Sequence, residues 1–219
     1  MKRIVLYFVA CCALTLGACG EFDGDLDAEG EDGADGGDEG DEGGDESDLQ
    51  ASCAGEAGSV GTVAGPVTSM QAVGDSILGW HKEDDAAIPD VVGQELGVSM
   101  QNNAIGGAEF LGPEGIGSLY ESSNDSHVLI NGGGNDFARE CSEQTLDALI
   151  SSDLQTGKMV ELVDAVEVDG AQPIIVGYYL PSDLETGCEH FPELLRRYRR
   201  LAQERQDGMY ICTLETITP

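Results

Sequence analysis

Five short runs of strand-forming residues alternate with helical stretches along residues 67–214, and that alternation admits few folds. The runs are 67–73 (VTSMQAV), 98–102 (VSMQN), 127–131 (HVLIN), 173–179 (PIIVGYY) and 209–214 (MYICTL). The third and fourth carry apolar residues at consecutive positions, as strands buried on both faces do. Residues 88–96 between the first two runs read as a helix, with Pro89 in the first turn and Gly97 closing it. Residues 142–168 hold one or two helices, broken near Gly157 and closed by Gly170, and 189–206 hold another. Strands joined through helices lie parallel and need cover on both faces. The expectation is an α/β domain over 53–219, built on a five-stranded parallel sheet with helices on both faces.

The chain ahead of that domain is of a different kind. Residues 1–20 contain Lys2 and Arg3 and no acid, and 4–18 is an apolar run too short for the ~20 residues of a membrane-spanning helix. The run ends in Leu16-Gly17-Ala18-Cys19, which resembles the lipobox of bacterial lipoproteins. The resemblance implies a signal peptide over 1–18, cleavage before Cys19, and a diacylglyceryl group on the Cys19 sulfur. An ordinary secretory signal cut near Ala18 is the alternative. Two or more acyl chains anchor a protein stably where one does not, so the expected location is the bacterial cell envelope, with the membrane as a partner through Cys19.

Residues 21–52 carry fifteen acids and no base, and almost nothing to bury. Such a segment cannot offset the entropy of ordering, so 19–52 is expected to be a disordered, self-repelling spacer. A calcium loop is excluded by pattern: counting from Asp23 the sixth position is Ala28 where glycine is needed, and from Asp25 the twelfth is Gly36 where glutamate is needed. The whole chain has a net charge of −32, which opposes nucleic-acid binding, since phosphates are neutralised by clustered Lys and Arg. The one basic cluster, Arg196, Arg197, Arg199, Arg200 and Arg205, reads as a solvated helix face. Of seven cysteines, Cys11 and Cys12 fall in the signal peptide and Cys19 is the lipid site. Cys53, Cys141, Cys188 and Cys212 remain, with three possible full pairings. No CxxC pair or Cys/His spacing suggests zinc, so neither a metal nor another cofactor is expected.

Three of the strand runs end in unusual residues: Gly74-Asp75-Ser76, then Asn102-Asn103-Ala104-Ile105-Gly106-Gly107, then Gly133-Gly134-Asn135-Asp136. Each alone is an ordinary turn or helix cap. In this order and at these separations they resemble the SGNH/GDSL hydrolase family, from about Met70 to the last residue. The resemblance implies a three-layer, flavodoxin-like fold and hydrolysis of an ester, drawn from small molecules, acylated glycans or lipids. It implies Ser76 as nucleophile and an oxyanion hole made by the N–H groups of Ser76 and Gly107 with the side-chain amide of Asn135. Glycine at 107 would let the backbone approach the substrate. Asp75 and Asp136 are implied as supporting residues. Other nucleophile and phosphate motifs fail. An α/β-hydrolase elbow would need glycine where Leu78 stands, a phosphate loop would need Ser or Thr at Met159, and a dinucleotide loop would need glycine at Phe137.

The pattern breaks at its end. The family carries an Asp-x-x-His near its carboxyl terminus, after the fifth strand and before a last helix. Here the residue three before His81 is Leu78, before His127 is Asn124, and before His190 is Gly187. A serine without a base is a poor nucleophile. The expectation is a chain truncated before that motif, lacking the last helix and baring apolar strand surface, with impaired turnover; a non-catalytic envelope lipoprotein or binding module on the same scaffold is the alternative. His127 is expected at the wrong end of the sheet, His190 near the correct edge, and His81 on the surface. With Cys141 after the Asn135 loop and Cys188 after the fourth strand, both at the catalytic edge, a Cys141–Cys188 disulfide is the preferred pairing. A monomer is expected.

Overall fold

The computed structural model describes residues 59–178 and 188–212. The signal and acidic segments with Cys19, and also Cys53, lie outside the described residues, as do Tyr179 of the fourth run and the end of the fifth. The sheet contains β1 (Ser59–Val60), β2 (Ser69–Val73), β3 (Ser99–Asn102), β4 (His127–Ile130), β5 (Gln172–Val176) and β6 (Met209–Ile211), in the spatial order β1-β6-β5-β4-β2-β3. The five strands expected from the sequence are all present and mutually parallel. Counted among themselves they run 2-1-3-4-5, the flavodoxin-like order. The sixth strand was not foreseen. β1 pairs antiparallel with β6 through Ser59↔Ile211 and Val60↔Tyr210. Two residues are too few to show a period, yet they satisfy an edge of β6 whose N–H and C=O groups would otherwise lack partners.

Among the described residues six α-helices accompany these strands: α1 (Ser76–Gly79), α2 (Ile88–Leu96), α3 (Gly134–Arg139), α4 (Glu143–Leu149), α5 (Lys158–Val168) and α6 (Phe191–Glu204). The 142–168 stretch is two helices. Ser142 caps α4 by accepting the Thr145 N–H at 3.1 Å, and Gly157 precedes α5. The expectation that the last helix is missing falls beyond residue 212, outside the described residues.

Both faces of the sheet are covered. Val73, Val128, Ile130, Ile175 and Tyr210 enter one core with Leu146, Leu149, Leu162, Val163, Leu194 and Tyr198. Their strand neighbours Ala72, Leu129, Ile174 and Val176, pointing the opposite way, are buried as well. The bared strand surface expected from truncation is absent among the described residues. Met209, Tyr210 and Ile211 are all buried, and the large apolar groups left exposed, such as Trp80, Ile105 and Val168, lie off the strands. On the Tyr210 face the cover is α6, which packs on β5, β6 and β1 and buries Leu194, Leu195, Tyr198, Leu201 and Ala202, the spacing of one helix face.

The arginine cluster is also corrected. Arg197 is buried rather than solvated, and its guanidinium donates to Asp147 at 2.7 Å, Glu193 at 2.9 Å and the Ile150 carbonyl at 2.8 Å. Its planar fork spans three acceptors, one on its own helix, one on α4 and one at the residue that ends α4. Arg205 pairs with Asp164 and Glu167 of α5.

Candidate active site

β2 and β4 are adjacent, with Val73 beside Ile130, but the chain leaves them toward opposite sides, to β3 and to β5. This is the topological switch point of the sheet, where a crevice opens beyond the carboxyl ends of the strands. Ser76 follows β2 by three residues, and Gly132 to Asn135 follow β4.

Ser76 opens α1 and is exposed. A first-turn N–H has no partner within its own helix, so its amide is available outward. Asp75 is the N-cap: it is 1% exposed and accepts the Ile77 N–H at 3.0 Å. Its other carboxylate oxygen accepts the hydroxyl proton of Tyr178. That same phenol oxygen accepts the N–H of Gly134 at 3.0 Å. One buried side chain from the end of β5 therefore ties the turn carrying Ser76 to the loop leading to Asn135.

The loop after β3 runs alongside. Asn103 N–H donates to Ala72 O at 2.8 Å and Ile105 N–H to Gly74 O at 3.0 Å, which extends strand pairing past the end of β3. Gly107 sits beyond, exposed, at φ +78 with nothing within 4 Å of where a Cβ would stand. That left-handed backbone favours glycine. The amide of Asn135 donates to Ala108 O at 2.9 Å, which uses one of its two N–H bonds. Asp136 accepts the N–H groups of Phe110 at 2.9 Å and Leu111 at 2.8 Å. Asn135 and Asp136 thus grip the loop just after Gly107. The turn of Ser76, the loop of Gly107 and the helix of Asn135 meet at one edge, held by hydrogen bonds.

The glycine run explains how closely they meet. A Cβ at Gly132 would strike Ile116 and the Phe110 ring, and one at Gly133 would lie 3.0 Å from both Leu194 and the Tyr198 hydroxyl. Tyr198 also donates to Gly132 O at 3.1 Å. Burial pushes the Asp75 carboxyl above the ordinary carboxylate range, against the pull of the Tyr178 and Ile77 donors, with a small upward push from Asp136. Burial likewise raises Asp136, against its two N–H donors, and Glu109 adds to the rise.

The histidines fall apart from one another. His127 is buried at the amino end of β4, opposite the crevice, with Nδ1 2.8 Å from Ser126 Oγ and its ionisation depressed by burial. His81 is on the surface, stacked on Trp80. His190 precedes α6, its Nε2 3.7 Å from Glu189 Oε1. The next residue, Phe191, packs edge-on to Tyr178 and Phe137, and Ile77, which follows Ser76, packs with it against the Tyr178–Leu195 pair. Cys141 and Cys188 are joined by a disulfide, Cα atoms 5.3 Å apart, which links the chain after α3 to the approach to α6. Cys212 is also disulfide-bonded.

Tyr178 and Tyr198 were not foreseen as parts of this region. Tyr178 reads as one more strand residue and Tyr198 as one more apolar helix position, so no local signal marks either.

The arrangement brings an exposed serine hydroxyl, the first turn of α1, the Gly107 loop and the Asn135 amide to one edge of the sheet. No family model matches the chain, and no curated protein matches it. Solved structures do. The chain is similar to TesA, at 19% identity and TM-score 0.47 over 63% of this chain and 74% of that one. It is similar to a mutant of the esterase AlinE4, at 16% identity and TM-score 0.48 over 64% and 73%. It is similar to a protein from Desulfitobacterium hafniense described as lipolytic and of the G-D-S-L family, at 18% identity and TM-score 0.45 over 61% and 72%.

Proposed function

We propose that this chain is an ester hydrolase of SGNH/GDSL type whose nucleophile is Ser76. The observation that carries the reading is the stitching of three loops at the switch point, through Tyr178, Asn135 and Asp136. In the proposed reaction Ser76 Oγ attacks the acyl carbon, and the N–H groups of Ser76 and Gly107 with Asn135 receive the oxyanion. Collapse breaks the bond to the alkoxy group, which leaves with the serine proton as an alcohol. Water then cleaves the acyl-serine and releases the acid. Oxyanion donation is a large contribution in acyl transfer, with one lost donor costing ~2.7–4 kcal/mol in a protease.

The 219 residues contain no Asp-x-x-His, the motif that would supply the general base, and turnover by these residues alone is proposed to be slow. That same feature favours the second reading, a binding lipoprotein on a hydrolase scaffold. The test is hydrolysis of p-nitrophenyl acetate by this chain and by one extended through the downstream reading frame. Activity that rises on extension and vanishes in Ser76→Ala supports the enzyme. An extended chain with no Ser76-dependent activity supports the binding reading. The envelope anchor at Cys19 is likewise a proposal; labelling with radioactive palmitate in a bacterial host, lost in Cys19→Ala, tests it.

A further inference from the structure

The two backbone donors proposed for the oxyanion lie on separate pieces of chain: Ser76 opens α1, and Gly107 lies on the loop after β3. Asn135 and Asp136 hold that loop from beyond Gly107, at Ala108, Phe110 and Leu111. Its nearer end is tied to α1 by Asn102, the last residue of β3. The Asn102 amide donates to Leu78 O at 3.0 Å, and Asn102 Oδ1 accepts the Ala104 N–H at 3.0 Å. The first bond reaches across 24 residues to a carbonyl near the end of α1. Carbonyls there find no N–H within their own helix, and Leu78 is fully buried. The second bond turns the chain over two residues, as an asparagine side chain does in a tight turn, and opens the loop that leads to Gly107.

Helix and loop are in contact on either side of this tie. A Cβ at Gly79 would stand 3.3 Å from Ala104 O and 3.5 Å from Gly106 N, so glycine there permits the approach. Lys82, just past α1, donates from Nζ to the same Ala104 carbonyl at 3.4 Å. The chemistry asked of residue 102 is narrow: one side chain must donate to a carbonyl and accept from an N–H. A primary amide does both. Aspartate has nearly the same shape and still accepts from Ala104, but it turns a carboxylate oxygen toward Leu78 O. Alanine serves neither group.

We propose that Asn102 is a positioning residue: by tying α1 to the loop it sets the separation of the Ser76 and Gly107 N–H groups, so that both aim at one oxygen. The role rests on the reading of Ser76 as nucleophile. The experiment titrates the full-length, isotope-labelled chain with phenylboronic acid above neutral pH. The boronate anion exchanges one hydroxide for the Ser76 alkoxide, and that hydroxide leaves with the serine proton as water. The adduct thus needs no general base, and it puts a boronate oxygen where the oxyanion would sit. In the parent, the Ser76 and Gly107 amide protons should both move downfield at saturation, and Ser76→Ala should abolish both shifts. In Asn102→Asp and Asn102→Ala only one of the two should keep its shift. Boronate affinity should fall roughly tenfold to a hundredfold, the scale of a misplacement of about 1 Å. Asn102→Asp keeps the turn at Ala104, so it reads the tie to α1 by itself even where the alanine variant does not fold. A residue that only stabilised the fold would change the melting temperature and leave the two shifts together. Paired shifts of parental size in Asn102→Asp therefore overturn the positioning role, whatever its stability. No Ser76-dependent adduct in the parent overturns the Ser76 reading, and this role with it.

Discussion

The hydroxyl of Tyr178 donates to the carboxylate of Asp75, and both groups are buried. They are 103 residues apart in the chain, and they join the end of β5 to the turn that presents Ser76. Tyr178→Phe should keep the ring's packing on Phe191 and remove this link. Among the described residues the Asp75 carboxylate then keeps the Ile77 N–H alone, and the Gly134 N–H loses its acceptor. Hydrogen bonds to charged groups contribute about 1.5–3 kcal/mol, so urea unfolding should show a loss of that order. Any Ser76-dependent hydrolysis should fall with it. A variant as stable and as active as the parent would remove Tyr178 from the account.

The buried carboxyls predict a pH dependence. The folded-state value of Asp75 lies above the ordinary 3.8. In the unfolded chain the proton is therefore lost first as pH rises, and ionisation favours unfolding. The contribution of Asp75 is full below 3.8 and declines as pH rises through its folded value. Asp75→Asn keeps the shape and removes the titration. The stability of the parent minus that of the variant, from thermal melts on a pH series, should fall with rising pH and then level. A difference that rises with pH would contradict burial as the governing cause.

Asp136 is expected to act as a clamp on the Gly107 loop. Asparagine in its place has one acceptor oxygen for two N–H donors, and its NH2 group would face an N–H. Asp136→Asn should therefore free either Phe110 or Leu111, and hydrogen exchange should quicken at those amides more than at Val128 or Ile175 in the sheet. Unchanged protection at Phe110 and Leu111 would count against the clamp.

The Cys141–Cys188 bond closes a sequence separation of 47. Loop-closure entropy for a ring of that size corresponds to about 4 kcal/mol, with measured values commonly nearer 2–4 kcal/mol. Replacing both cysteines with serine should lower stability in that range, read by urea unfolding under oxidising conditions. The loss should disappear when the parent is compared after reduction, if this bridge alone is opened by mild reductant.

Much of the architecture was legible because its causes are local. Alternating strand and helix runs follow from side-chain periodicity within a few residues, and the turns after β2, β3 and β4 follow from glycine, asparagine and aspartate at the strand ends. Those same short-range patterns marked Ser76, Gly107, Asn135 and Asp136, and they showed that no Asp-x-x-His is present in these residues. What the local pattern could not reveal was which distant groups would meet. The two-residue β1, the burial of Arg197 against Asp147 and Glu193, and the reach of Tyr198 to Gly132 all depend on pairings across the fold. The Tyr178–Asp75 contact is of the same kind: a tyrosine at the end of an apolar run looks the same whether its hydroxyl meets water or a buried carboxylate. Strand order decides between them, and strand order is a property of long-range packing that only the tertiary structure contains.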